Sequence, residues 1–228
     1  MRYAVQVTGV GLALLLPLAI VAQERRAFEP GGAQNMIRVG TYSREKAVER
    51  EVMKNLSFTV DRNGKLIDTG GEKTKETVME RQYGVTLFVD EQAAREAFRP
   101  YQGQDRYTLE REGKLLAVVI EATFPKTLVL SFSSARKARD IREDLAEELR
   151  KQMPDGAPEM GKFVTFFRSD FAAGDSAIVR IADGQQIMTA VKGEDKEVLQ
   201  HKALAQALLK IWVSKNLAYG VAPLLREP

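Results

Sequence analysis

The chain has 228 residues, 44% of them hydrophobic and 29% charged, which is enough apolar material for one full core in a single domain. Its net charge of +3 comes from 34 basic and 31 acidic residues mixed along the chain, and this excludes the concentrated basic surface of a nucleic-acid binder. With no cysteine and only one histidine, His201, the sequence also excludes disulfides, thiolate metal sites, a cysteine nucleophile and a histidine-rich metal centre.

At the N-terminus Arg2 precedes an uncharged run from Val10 to Ala22, after which Gln23, Glu24, Arg25 and Arg26 restore polarity. A basic start, a short apolar stretch and small residues at its end are the pattern of a secretory signal peptide, with Ala22 or Gln23 the last residue removed. The run is shorter than the about 20 apolar residues of a membrane span, and Pro17 interrupts it, so no stable span is expected after cleavage. Arg25 and Arg26 leave an uncleaved anchor as the alternative. The folded part is expected outside the cytoplasm, periplasmic or secreted. On this reading residues 1–23 are the signal, 24–50 a polar lead-in and 51–228 the domain. Pro30, Gly31 and Gly32 break the lead-in, and Arg44 to Lys54 reads as one charged helix.

Leu56 to Val60 and Lys65 to Ile67 are strand-like runs joined through Asp61-Arg62-Asn63-Gly64, and Asn-Gly at such a junction predicts a tight hairpin because both residues tolerate positive φ. Gly70 and Gly71 precede a long strand, Lys73 to Asp90, and Asp90 caps a short helix, Glu91 to Phe98, that must stop before Pro100. Arg106 to Glu110 and Leu115 to Phe124 are predicted as two strands with Gly113 in the turn. The β-branched run Val118-Val119-Ile120 makes the second of them a central strand. Thr127 to Phe132 is another strand, after Pro125.

Ser133 or Ser134 is the predicted cap of a helix reaching about Met153, with Ala138, Ile141, Leu145 and Leu149 on one stripe. A second helix, Pro158 to Phe171, carries Met160, Phe163, Val164, Phe166 and Phe167. Ala177 to Ile181 and Ile187 to Val191 form a hairpin across Asp183-Gly184, and a last helix spans about Lys196 to Ser214. The order predicts an α+β fold, a broad antiparallel sheet with a layer of helices packed on one face.

Within Lys73 to Asp90 the odd positions Met79, Val85, Leu87 and Val89 are apolar and the even positions Glu76, Glu80, Gln82, Thr86 and Asp90 are polar, the signature of a strand with one face in the core. Lys73, Arg81 and Tyr83 share the odd, inward set, and these three with Val85 are the predicted ligand-binding residues. Opposite helices rich in Phe163, Phe166, Phe167 and Trp212 would supply an apolar wall. The bland alternative is that Lys73 sits in solvent and the phenylalanines only fill core. His201 lacks acidic or cysteine neighbours at metal spacing, which makes it a helix-surface residue. Gly31-Gly32 and Gly70-Gly71 have no phosphate-loop pattern around them. No catalytic residue, cofactor or metal is predicted.

Three patches resemble the chalcone isomerase-like family. They are Phe58 through Asn63-Gly64-Lys65-Leu66, Gly70-Gly71 and Lys73-Thr74 to Tyr83-Gly84-Val85-Thr86-Leu87-Phe88-Val89-Asp90; Lys126 to Leu149; and Phe163 to Phe171 with Gly174-Asp175, the second hairpin and Ala203 to Trp212. Together they cover nearly all of residues 56 to 220. The resemblance implies the fold of that family. It also implies where plant enzymes that cyclise chalcones would carry their active-site side chains: the arginine position falls on Lys73, the threonine on Tyr83, the helix tyrosine near Ala138, the asparagine near Leu145 and the last-helix hydroxyl near Ala205. None of these matches, so chalcone isomerisation is not expected.

Fatty-acid-binding relatives use a basic residue and a tyrosine to hold a carboxylate, and Lys73 with Tyr83 resembles that pair, with Arg81 able to supply the fork that lysine lacks. The leading expectation is therefore an exported, non-catalytic protein binding a fatty acid or similar apolar carboxylate between sheet and helices. The alternatives are an envelope protein with no small ligand and, less favoured, an isomerase acting on a small enone.

Overall fold

The computed structural model describes residues 36–60, 66–213 and 217–226; the predicted signal peptide and the Asn63-Gly64 turn lie outside the described residues. Two 25-residue strands, β1 (Met36–Val60) and β2 (Leu66–Asp90), form one antiparallel hairpin. The segment expected as a helix, Arg44 to Lys54, is instead part of β1, and the sheet reaches back into the predicted lead-in. The cause is across the hairpin: the register sets Glu45 opposite Arg81, Lys46 opposite Glu80, Arg50 opposite Glu76, Glu51 opposite Lys75 and Lys54 opposite Glu72. Opposite charges set across a hairpin favour the strand as opposite charges four residues apart favour a helix. Gly70 and Gly71, expected to break the chain, lie inside β2 beside a register shift.

Asp90 caps α1 (Glu91–Phe98) as expected, its carboxylate accepting from the Ala93 amide at 2.8 Å. The two strands predicted between Arg106 and Phe124 are helices, α2 (Arg106–Arg111) and α3 (Lys114–Glu121). Asp105 accepts from the Thr108 amide, and Gly113 at φ +73° turns α2 into α3. Leu115 and Val119, one turn apart, are fully buried, with Leu116, Val118 and Ile120 packed against the same core. Burial of that face overrides the β preference of Val118-Val119-Ile120.

Strand β3 (Lys126–Ser131) leads to α4 (Ala138–Gln152), α5 (Pro158–Thr165), the hairpin β4 (Ser176–Ala182) and β5 (Gln186–Val191), then β6 (Glu194–Asp195), β7 (Leu199–Gln200), α6 (Lys202–Trp212) and α7 (Leu217–Gly220). The amide at the start of α4 donates to Asp170 at 2.9 Å, so its cap comes from a distant loop rather than from Ser133 or Ser134. The predicted last helix begins later than expected. Leu199 and Gln200 pair with β5, and His201 is the N-cap, its Nδ1 accepting from the Leu204 amide at 3.1 Å. Helix α5 likewise stops at Thr165, short of Phe171.

The strands form one antiparallel sheet in the order β1-β2-β3-β4-β5-β6, with β7 on β5. Inward rows run across it: Val85-Leu130-Ala177-Val191, Leu87-Leu128-Val179-Thr189 and Val89-Lys126-Ile181-Ile187. The apolar stripes of α4 (Ile141, Leu145, Leu149) and α6 (Leu204, Leu208, Trp212) complete the core with those rows. Only Gly84 to Val89 of β2 pair with β3, so from Tyr83 to the hairpin turn β1 and β2 pair as a two-stranded ribbon. Helix α7 packs on β1 so closely that a Cβ at Gly220 would lie 1.1 Å from the Val39 carbonyl oxygen.

Lys126 is the charged residue of the inward rows. Its amine is buried, donates to the carbonyls of Ala122 and Phe124 at the end of α3, and lies 4.1 Å from the centre of the Phe124 ring. Burial pushes its pKa down to about 8. A depressed lysine pKa means that the fold binds the charged amine less well than the unfolded chain does, so stability rises as pH climbs through 8 toward the unfolded value. Between pH 8 and 10 the expected gain is about 2 kcal/mol. Above pH 10 it is offset, because buried Tyr42 and Tyr83 resist ionisation in the fold. Urea titrations at pH 8, 9 and 10 check this, and Lys126→Met should flatten the rise.

Candidate functional site

The polar residues on the inward face gather where the ribbon leaves the sheet. Tyr83 of β2 sits directly opposite Arg44 of β1, and Val85 opposite Tyr42. The next pair is Glu45 with Arg81, which leaves Gln82 as an extra residue, a β-bulge. The bulge reverses the alternation: beyond it Lys73, Lys75, Thr77 and Met79 are exposed, whereas Thr74, Glu76, Val78 and Glu80 are half-buried. Arg136 holds this corner, donating to the Gln82 carbonyl at 3.2 Å and to Glu80 at 2.7 Å.

The four predicted site residues are therefore divided. Tyr83 and Val85 are buried together on the inward face. Lys73 is not with them: ten residues along the ribbon, its side chain is 71% exposed and lies 3.7 Å from Glu51. Arg81 is registered with Glu45. The basic residue beside Tyr83 is Arg44, which sequence reasoning missed because it placed that stretch in a helix. The signal available was the hairpin itself. Once Arg44 is read as a strand residue paired through the Asn63-Gly64 turn, it falls opposite the Tyr83 region.

Around Tyr83 six aromatic side chains make a closed circuit. Tyr83 contacts Phe132 (centroids 5.4 Å apart), Phe132 stacks on Phe171 (4.1 Å), Phe171 meets Phe167 (6.1 Å), Phe167 meets Phe163 (5.6 Å) and Phe163 meets Trp212 (6.1 Å). The Trp212 indole N–H closes it by donating to the Tyr83 hydroxyl at 3.2 Å. Because Tyr83 accepts that bond, its own O–H proton remains for another acceptor. Burial, reinforced by the Asp144 charge, raises the Tyr83 pKa well above its ordinary value and keeps it protonated.

Arg44 reaches from β1 to α4. Its Nε and Nη2 grip Asp144 in a two-point contact at 3.0 and 2.7 Å, and Nη2 also lies 3.1 Å from Glu148. The bond to Asp144 raises the guanidinium pKa still further, against the burial that lowers it. Burial pushes the Glu148 carboxyl up, but the hydrogen bond from Lys151 and the Arg44 charge outweigh that and hold it below the usual range. The Tyr42 ring lies back over Gly40, and its buried hydroxyl has no hydrogen-bond partner among the described residues. Ala138, Leu145 and Ala205 are all buried and apolar. The arrangement sets a guanidinium, its fork held by Asp144, and a phenolic donor at the rim of an aromatic core.

Residues 107–219 match the chalcone isomerase-like family. This covers α2 to α7, including the strands, helices and Trp212 side of the site. The fold is chalcone isomerase-like. A crystal structure of a fatty-acid binding protein from Arabidopsis thaliana agrees over the longer range: it shares the fold at a TM-score of 0.59 and 12% identity, over 86% of this chain and 90% of that one. No curated protein matches the sequence. The hairpin that carries Arg44 and Tyr83 precedes the matched residues. No helix among the described residues is long and apolar enough to cross a membrane.

Proposed function

We propose that this chain is an exported, non-catalytic chalcone isomerase-like protein that binds a long-chain carboxylate between sheet and helix layer, its head at Arg44 and Tyr83 and its chain beside Val85 and the aromatic circuit. The observation that carries this reading is the pairing of Arg44 with Tyr83 at the edge of six aromatic rings. A carboxylate offers two acceptors, which suit the guanidinium N–H donors that Asp144 does not take and a phenol that still has its proton to give. The fold likeness to a fatty-acid binding protein supports the same class of ligand. The non-catalytic part is supported by Ala138, Leu145 and Ala205, apolar where chalcone-cyclising enzymes need a tyrosine, an asparagine and a hydroxyl. Tyr83 alone supplies no partnered acid and base.

In the closed arrangement the rings fill the space between layers, so an acyl chain is admitted only when α4 and α6 part. Organic extraction of the full chain from its own compartment should yield an acyl carboxylate. Arg44→Gln and Tyr83→Phe should each weaken dodecanoate binding by roughly tenfold, the effect of losing one charge-assisted hydrogen bond. No extracted acyl chain together with no dodecanoate binding overturns the reading. It would leave the second one, an envelope protein without a small ligand, which is favoured by the fact that Asp144 and Glu148 already engage Arg44. Export is tested separately: the mature N-terminus should follow Ala22 or Gln23, and a retained Met1 would contradict cleavage.

A further inference from the structure

Arg44 is shared unequally by its two carboxylates. Asp144 takes both Nε and Nη2 and has a side chain only 9% exposed, whereas Glu148 touches Nη2 alone at 3.1 Å and is 19% exposed. Glu148 is also drawn the other way, toward solvent, by Lys151 at 2.7 Å, whose own side chain is 54% exposed. Arg44 itself is 24% exposed, so the cluster is open on the Glu148 side.

Resting on the ligand class proposed above, we infer that Glu148 is an internal stand-in for the ligand head: an arriving carboxylate takes its place on Arg44 while Asp144 stays bound. Two carboxylates on one guanidinium leave a net negative cluster, and the nearby Lys151 is shared with Glu147, so a third carboxylate cannot simply be added. Displacement of the weaker partner solves this. Glu148 swings out to Lys151, which already holds it, and the Asp144 grip keeps Arg44 aimed at the Tyr83 side. No bond is made or broken apart from this exchange of ion partners. Glu148 thereby sets the affinity threshold. Weakly held anions lose to it, and a carboxylate wins only when its apolar chain adds binding of its own.

Dodecanoate titrations of the full chain test the exchange, with dodecanol as a headless probe. Glu148→Gln and Glu148→Ala should each bind dodecanoate roughly tenfold tighter than the parent, because a charge-assisted competitor has been removed. Dodecanol should bind all three alike. Glu147→Gln removes the same charge one residue away, from a side chain that reaches Lys151 instead, and should change little. If the parent binds dodecanoate and the Glu148 variants bind it no more tightly, or if Glu147→Gln gives the same gain, the stand-in role is wrong while the carboxylate reading survives. If neither the parent nor any variant binds dodecanoate, both fall.

Discussion

Gly220→Ala should shift the urea midpoint sharply downward, by the equivalent of about 3 kcal/mol or more. The added methyl would sit 1.1 Å from the Val39 carbonyl oxygen, and a backbone atom cannot rotate out of the way as a side chain can. The C-terminal segment must therefore lift off β1. Leu217, Ala218, Val221, Leu224 and Leu225 are all buried, and each large side chain re-exposed costs about 1.5–3 kcal/mol. Val39 is itself the extra residue of a bulge between Arg38 and Gly40, so β1 has been bent where α7 approaches. An unchanged midpoint would show that α7 does not dock there. The m-value should fall somewhat below the parent's, since the lifted segment is already exposed before the core unfolds.

Phe163→Ala is expected to cost about 3–5 kcal/mol, the usual range for removing a fully buried phenylalanine and leaving a cavity. Phe163 is fully buried and touches Phe166, Phe167 and Trp212, so the hole opens in the middle of the aromatic circuit. Trp212 is the only tryptophan in the chain, and its fluorescence reports the site without a label. Loss of Phe163 should alter that emission in the folded protein as well as the denaturation midpoint. A loss below about 1 kcal/mol would mean that the neighbours collapse into the space and that the circuit is not rigid.

The sheet and the helix layer were legible because their apolar periods are clean. Thr127 to Phe132, the Asp183-Gly184 hairpin and the Ile141-Leu145-Leu149 stripe all appear close to where their alternation or helical spacing put them. What failed was local preference where long-range contact decides. Arg44 to Lys54 carries helix-like charge spacing but runs as a strand registered residue by residue against β2, and Val118-Val119-Ile120 is β-branched but buried as a helix. The site was half legible for the same reason. Tyr83 and Val85 were found on the inward face, but no periodicity reveals an extra residue in the middle of a strand. The bulge at Gln82 therefore sent the prediction to Lys73 when the neighbouring cation is Arg44.

Gln82 also decides how this ribbon tolerates changes in length. Between Tyr83 and the hairpin turn the two strands pair with each other and not with β3, so equal pairs of residues can be spliced out of both like rungs from a ladder, leaving every remaining side chain on its side. Loss of Gln82 alone takes out the bulge without exchanging the faces: Arg81 then follows Tyr83 in plain alternation, Glu80 stays on the Arg136 side and Lys73 and Met79 stay in water, while the bend at this corner is lost. Homologous hairpins should accordingly differ by even steps per strand, and a single-residue loss at this position marks a chain whose ribbon runs straight where this one bends.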